Sequence, residues 1–214
     1  MVSAPATAPR RPRGRIDKRQ AILEAAFDVF AERGYAQALV QEIAERAGVA
    51  KPTVYSHFTD KETLFRAALT AVAQSVMETN LVELDRLRSP KKDLRKTLND
   101  VAHHLVRSCC DHRSRSLRWL TYAQVARFPD LIEVVQDYTS LRIAEAMADR
   151  LGRLSLAGHL RPCDPATAAE QLLALITGPL ETRSRLGTRR LTATEMRTLA
   201  EAAVDTFLRA YAAD

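Results

Sequence analysis

Apolar residues recur at helical spacing along nearly the whole chain. Ile22, Ala25, Ala26, Val29 and Phe30 fall at i, i+3, i+4, i+7 and i+8, the signature of one buried helix face. Asp17 suits the start of that helix and Gly34 its end. A second, short helix runs from about Val40 to Ala47 with Ile43, Ala44 and Ala47 inward, and Gly48 ends it. A third carries Pro52 in its first turn, where a missing N–H costs nothing, and stops near Phe58. Thr59 with Glu62 reads as a capping box opening a long helix, from Asp60 to about Arg88, of ~40 Å at ~1.5 Å per residue. Further apolar stripes mark helices over Lys91–Cys110, from Ser114 or Ser116 to Arg127, and from Pro129 to about Leu151. Gly152 to Pro162 reads as a connector. The last two helices span 165–186, where Gly178-Pro179 predicts a kink, and 192–213, opened by a Thr192/Glu195 capping box. No segment alternates as a strand would, and no fixed-period repeat occurs. The prediction is all-α, with about nine helices.

Composition supports this. Ala (34) and Leu (26) outnumber Val (14) and Ile (6), and β-branched side chains are the ones that lose rotamer freedom in helices. At 214 residues the chain can bury a core without staples, and its three cysteines do not make a disulfide framework. The longest apolar run, Leu172 to Ile176, is far short of the ~18–20 residues that span a bilayer. No secretory leader is evident, so the expected compartment is the cytoplasm. The net charge of +6 is unevenly placed. Residues 1–20 hold six cations and one Asp, whereas 21–66 hold five cations and seven anions. Residues 1–15 therefore read as a disordered basic arm, in which Arg11 and Arg13 are candidates for contacting a polyanion.

The informative segment lies between Gly34 and Lys61. Two short helices joined at Ala47-Gly48-Val49 form a helix-turn-helix, with small Ala44 and Ala47 letting the helices cross closely and Val49 and Val54 plugging the crossing. The second helix of such a unit enters the major groove with its N-terminal residues toward base edges. Here those residues are Lys51, Pro52 and Thr53. Tyr55 and His57 offer an O–H and an N–H to phosphates, and Lys61, at a helix start, offers an ammonium beside free backbone N–H groups.

The pattern Ile43-Ala44-x-x-Ala47-Gly48-Val49-x-x-x-Thr53-Val54-Tyr55-x-His57-Phe58-x-x-Lys61, after Phe30-Ala-x-x-Gly34-Tyr35, resembles the TetR/AcrR family of bacterial transcriptional regulators. The likeness covers residues 16–66. It implies a helix-turn-helix DNA-binding domain at 16–60 and a ligand-binding and dimerisation domain at 61–214. It implies that Lys51, Pro52 and Thr53 meet bases while Tyr55, Ser56, His57 and Lys61 meet phosphates. It further implies a homodimer through the helices near 165–186 and 192–213, a palindromic double-stranded DNA operator, and release from it by a small, largely apolar effector. The chain departs from the pattern twice. Ala38 and Leu39 stand where the family has a Thr or Ser before the second helix, and Ala50 replaces the usual Ser after Gly-Val.

Other chemistry is weaker. His103, His104, Cys109, Cys110 and His112 do not converge at the spacing a tetrahedral metal site needs, so no metal or other cofactor is expected. No nucleotide-binding, zinc-protease or nucleophile-elbow motif occurs, which argues against an enzyme. Trp119, Tyr122, Phe128 and Tyr138 either fill the core or line an apolar effector cavity between helices. The alternative to a regulator is a helical dimerisation or ligand-binding protein with weakened DNA binding, which the missing capping hydroxyls would suit.

Overall fold

The computed structural model describes residues 13–88 and 93–213. The described chain has ten α-helical segments: α1 (Arg13–Gln37), α2 (Val40–Arg46), α3 (Lys51–His57), α4 (Lys61–Leu84), α5 (Leu94–Cys110), α6 (His112–Ala123), α7 (Pro129–Gln136), α8 (Arg142–Leu156), α9 (Pro165–Arg183) and α10 (Ala193–Tyr211). A five-residue π-helical stretch, Asp137–Leu141, joins α7 to α8 without a break. Counting that run as one helix gives nine, as the periodicity predicts. A 3₁₀ turn, Asp85–Arg88, ends α4. No β-strand occurs among the described residues.

Several boundaries differ from the sequence reading, each for a local reason. α1 takes in Arg13–Arg15, which the arm was expected to include; the rest of the arm, with Arg11, lies outside the described residues. The cap of α4 is Asp60, not Thr59: its carboxylate accepts the Thr63 N–H at 2.7 Å, and Glu62 pairs with Arg66 instead of closing a box. α6 starts earlier than predicted because Asp111 accepts from the Ser114 N–H at 2.8 Å. α8 runs through Gly152, which was read as the start of a connector. A side chain there would crowd the Pro165 ring, at 3.2 Å from the nearest ring carbon, so that glycine serves packing. The connector begins at Gly158, with φ +77°. α9 is a 19-residue helix that includes Pro179.

The chain divides into two compact units between Ala68 and Leu69. In the first, α1–α3 close on the opening turns of α4. Phe30, Phe65, Ile22, Ile43 and Val54 form its core, and Phe65 meets Phe30 and Tyr35 edge-on at centroid distances of 4.9 and 4.8 Å. That cluster is why the boundary falls inside α4 and not at Asp60. In the second unit α5 packs on α10 and α8 on α9 around Leu98, Leu105, Met147, Ile176 and Phe207. Arg150 is buried there and bonds Asp85 and Asp149.

The predicted capping box of α10 is present: the Thr192 hydroxyl accepts the Glu195 N–H while Glu195 accepts the Thr192 N–H. The Arg189 guanidinium, and then that backbone bond, hold the Glu195 carboxyl down to about 2 from an ordinary 4.5. A depressed carboxyl contributes stability above its unfolded value and loses it as pH falls through the folded one. We therefore expect the melting deficit of Glu195→Gln to be complete at neutral pH, to shrink below pH 4.5 and to be gone below about pH 2, read by thermal melts across that range.

Candidate nucleic-acid interface

The helix-turn-helix turns on a single left-handed residue. Gly48 has φ +65°, a conformation that costs a residue with a side chain ~1–2 kcal/mol. The Ala47, Gly48 and Val49 N–H groups donate to the Ile43, Glu45 and Ala44 carbonyls, so α2 ends with its last carbonyls satisfied. Neither α2 nor α3 has a side-chain cap: Leu39 and Ala50 hold the N-cap positions with no hydroxyl or carboxylate to offer. In the first turn of α3 the Thr53 N–H donates to the Ala50 carbonyl at 2.8 Å and Pro52 has no N–H, so few donors need a cap.

α3 is held by its apolar face and open on the other. Val54 and the adjoining Phe58 are buried; Lys51, Pro52, Tyr55 and Ser56 are exposed; Thr53 and His57 are half-buried. The predicted residues therefore share one short helix, base-reading candidates at its N-terminal end and phosphate candidates one turn on. Two of them are already engaged. The Ser56 hydroxyl donates to the Thr53 carbonyl at 2.8 Å. Lys61 donates to the Ala36 carbonyl at 3.0 Å and sits 4.9 Å from the Tyr35 ring centroid, which fixes the ammonium beside the end of α1.

Two features went unread in the sequence. Arg19 lies over the Phe58 ring at 5.2 Å, placing a cation of α1 beside α3. Arg46 is bidentate to Glu32 at 2.6 and 2.8 Å, and Arg33 meets Glu42 at 3.4 Å, so these cations clamp α1 to α2. Solvent screening leaves exposed pairs of this kind with little net stabilisation. Their spacing across two helices leaves no i, i+4 signal to find them by.

The four aromatics proposed to line a cavity are not brought together. α6 buries Ser114, Leu117, Leu120 and Thr121, which turns Trp119 and Tyr122 outward. Phe128 is buried at the start of α7. Tyr138, in the π-helical stretch, is half-buried, and its hydroxyl accepts from Gln74 at 2.9 Å. An open cavity of about 570 Å³ instead borders Leu81, Asp137, Arg142, Glu145, Ala146, Asp149 and Arg150. Among the described residues no three His, Cys, Asp or Glu are placed to hold a metal ion, and burial pushes the Cys109 and Cys110 thiols up, away from reactive thiolates.

Comparison with known proteins decides the family. Residues 22–68 match the family model "Bacterial regulatory proteins, tetR family", and residues 96–213 match "AefR-like transcriptional repressor, C-terminal domain". The chain belongs to the TetR family. TetR proteins are DNA-binding transcriptional regulators, not enzymes, and this chain is one of them. It is 31% identical over 176 residues to the HTH-type transcriptional repressor Rv3405c of Mycobacterium tuberculosis, covering 80% of this chain and 89% of the relative. A TetR-family transcriptional regulator from Mesorhizobium loti superposes with a TM-score of 0.87 at 28% identity, over 94% of this chain and all of that one. The flavonoid-responsive regulator FrrA gives 0.71 at 27%, over 91% and 97%. The match to the N-terminal family model ends at Ala68, where the first compact unit ends. No helix among the described residues is long and apolar enough to cross a membrane.

Proposed function

We propose that this TetR protein is a homodimeric repressor that binds a palindromic operator and is released by a small molecule. The observation that carries it is the open N-terminal end of α3, held by the Gly48 turn and by buried Val54 and Phe58. In this reading Lys51, Pro52 and Thr53 face base edges, while Tyr55, Ser56, His57 and Lys61 face phosphates. α9 and α10 pair with their counterparts in a second copy as a four-helix bundle, and that symmetry demands an inverted repeat. The protein acts in the bacterial cytoplasm on nucleoid DNA. The effector binds the second unit and favours one setting of α4; it shifts the balance only as far as it binds one state more tightly. FrrA, by its name, responds to flavonoids. With Trp119 and Tyr122 outward, the effector reading rests on the family's second domain and not on an aromatic-lined pocket.

The test is a gel shift with DNA flanking the gene, joined to sedimentation at micromolar concentration. A low-salt shift on an inverted repeat by a dimer is the expected result; no shift, or a monomer, overturns it. Arg11 and Arg13 are proposed to reach the adjacent minor groove. Deleting residues 1–12, which stops short of α1, removes Arg10 and Arg11. Arg11 is the proposed contact among these, so the slope of log affinity against log salt should then flatten by about one unit, with base preference unchanged. An unaltered slope would exclude Arg11 and the rest of residues 1–12 from the interface.

A further inference from the structure

We propose that the dimer interface runs beyond α9 and α10 onto α6, burying Trp119, Tyr122 and Leu186 of each protomer against its partner. This rests on the homodimer reading above and assigns its anchor residues. The outward faces of α9 and α10 are small or polar: Gln171, Ala174 and Gly178 on one, Thr198, Ala202 and Thr206 on the other. Among the described residues neither helix carries an exposed large hydrophobic. Such faces allow close approach but supply little apolar area. A stable interface needs ~800 Å² per partner, with its energy concentrated in a few anchors rich in Trp and Tyr.

Those anchors lie next door. In the described part of the second unit the exposed aromatics are Trp119 (59%) and Tyr122 (56%), three residues apart on one face of α6. Covering them removes a further ~100–150 Å² each from water. Leu186 is 82% exposed and sits in the turn that leaves α9. That turn is strained: Arg185, Leu186 and Gly187 have φ of +50°, +55° and +87°. Left-handed backbone is disfavoured for a leucine, yet the turn adopts it and holds an isobutyl group in solvent. The turn also lies on α6: a Cβ at Gly187 would be 3.6 Å from Cδ of Arg115, one helical turn before Trp119. The turn at the C-terminal end of α9 therefore adjoins the part of α6 that carries Trp119. The occupant is a second copy, because a two-fold that pairs α9 and α10 brings the partner to that edge and sets each residue against a different one.

Trp119 is the chain's single tryptophan, so its fluorescence reads this patch alone. Emission and acrylamide quenching are followed through a dilution series that spans dimer and monomer by sedimentation equilibrium. Emission should shift to the blue and quenching should fall in step with the dimer fraction. For a dimer that does not dissociate on dilution, Trp119 should be quenched far less than in the urea-unfolded chain. The variant Trp119→Ser with Leu186→Ser should raise the dimer Kd about tenfold or more with helical content intact. Val82→Ser, at another exposed apolar residue (73%), should leave it unchanged. A dimer whose Trp119 stays fully quenchable, or a dimer Kd unmoved by the double variant, overturns the proposal and leaves the α9–α10 dimer standing. A chain monomeric throughout removes both. Shielding that appears only when DNA or another protein is added shows that the second copy is not the occupant.

Discussion

Phe65→Ala is expected to abolish operator binding while the second unit stays folded. The ring is fully buried and meets Phe30 and Tyr35 at centroid distances of 4.9 and 4.8 Å. Replacing a buried Phe by Ala costs ~3–5 kcal/mol, from lost transfer energy and from the cavity left behind. A unit of some fifty residues has a stability of only about 5 kcal/mol, so that loss consumes most of it. The second unit has its own core, from Leu98 to Phe207, and shares none of these three rings. Two melting transitions, or one early loss of part of the helical signal, should appear in circular dichroism, with no gel shift at any salt. Phe65→Leu, which fills more of the space, should keep binding and melt a few degrees lower. Full binding by Phe65→Ala at 37 °C would show that α4 is held to α1–α3 by something other than this cluster.

Phe65 also shows where sequence reading stops. The helices were legible because each buried face repeats at 3.6 residues and because glycines stand at Gly34, Gly48 and Gly187, all left-handed in the structure. The helix that carries the candidate recognition residues was legible because those residues are contiguous, so that α3 holds Lys51 to His57 together. The unit boundary was not. It depends on Phe65 meeting rings thirty residues earlier, and spacing along one helix carries no such information. Gly152 was misread for a related reason: a glycine that ends a helix and one that admits a proline ring from another helix look alike until the partner is placed. Trp119 and Tyr122 failed in a third way. An aromatic at helical spacing signals burial, but whether its own chain or a second copy covers it is not written in the period.

Lys51→Ala and Lys61→Ala should separate base reading from backbone contact, although both remove one ammonium. Lys51 is exposed at the first turn of α3, where the groove-facing end of a recognition helix lies. Its loss should cost ~1–3 kcal/mol on the best operator, about 5- to 150-fold, and relax preference at one position in each half-site. Lys61 is held beside α1 by its bond to the Ala36 carbonyl and by the Tyr35 ring, so its charge is positioned before DNA arrives. Its loss should weaken every sequence alike, flatten the salt slope by about one unit and leave base preference untouched. Because the same bond ties α4 to the end of α1, this variant should also melt slightly earlier, and Lys51→Ala should not. Binding to a library of operator half-sites at two salt concentrations reads both effects at once. If Lys61→Ala lowers the melting temperature and uniform affinity but leaves the salt slope unmoved, Lys61 acts by holding α3 in place and not by touching phosphate. If it changes base preference, the division of labour between the two lysines is wrong.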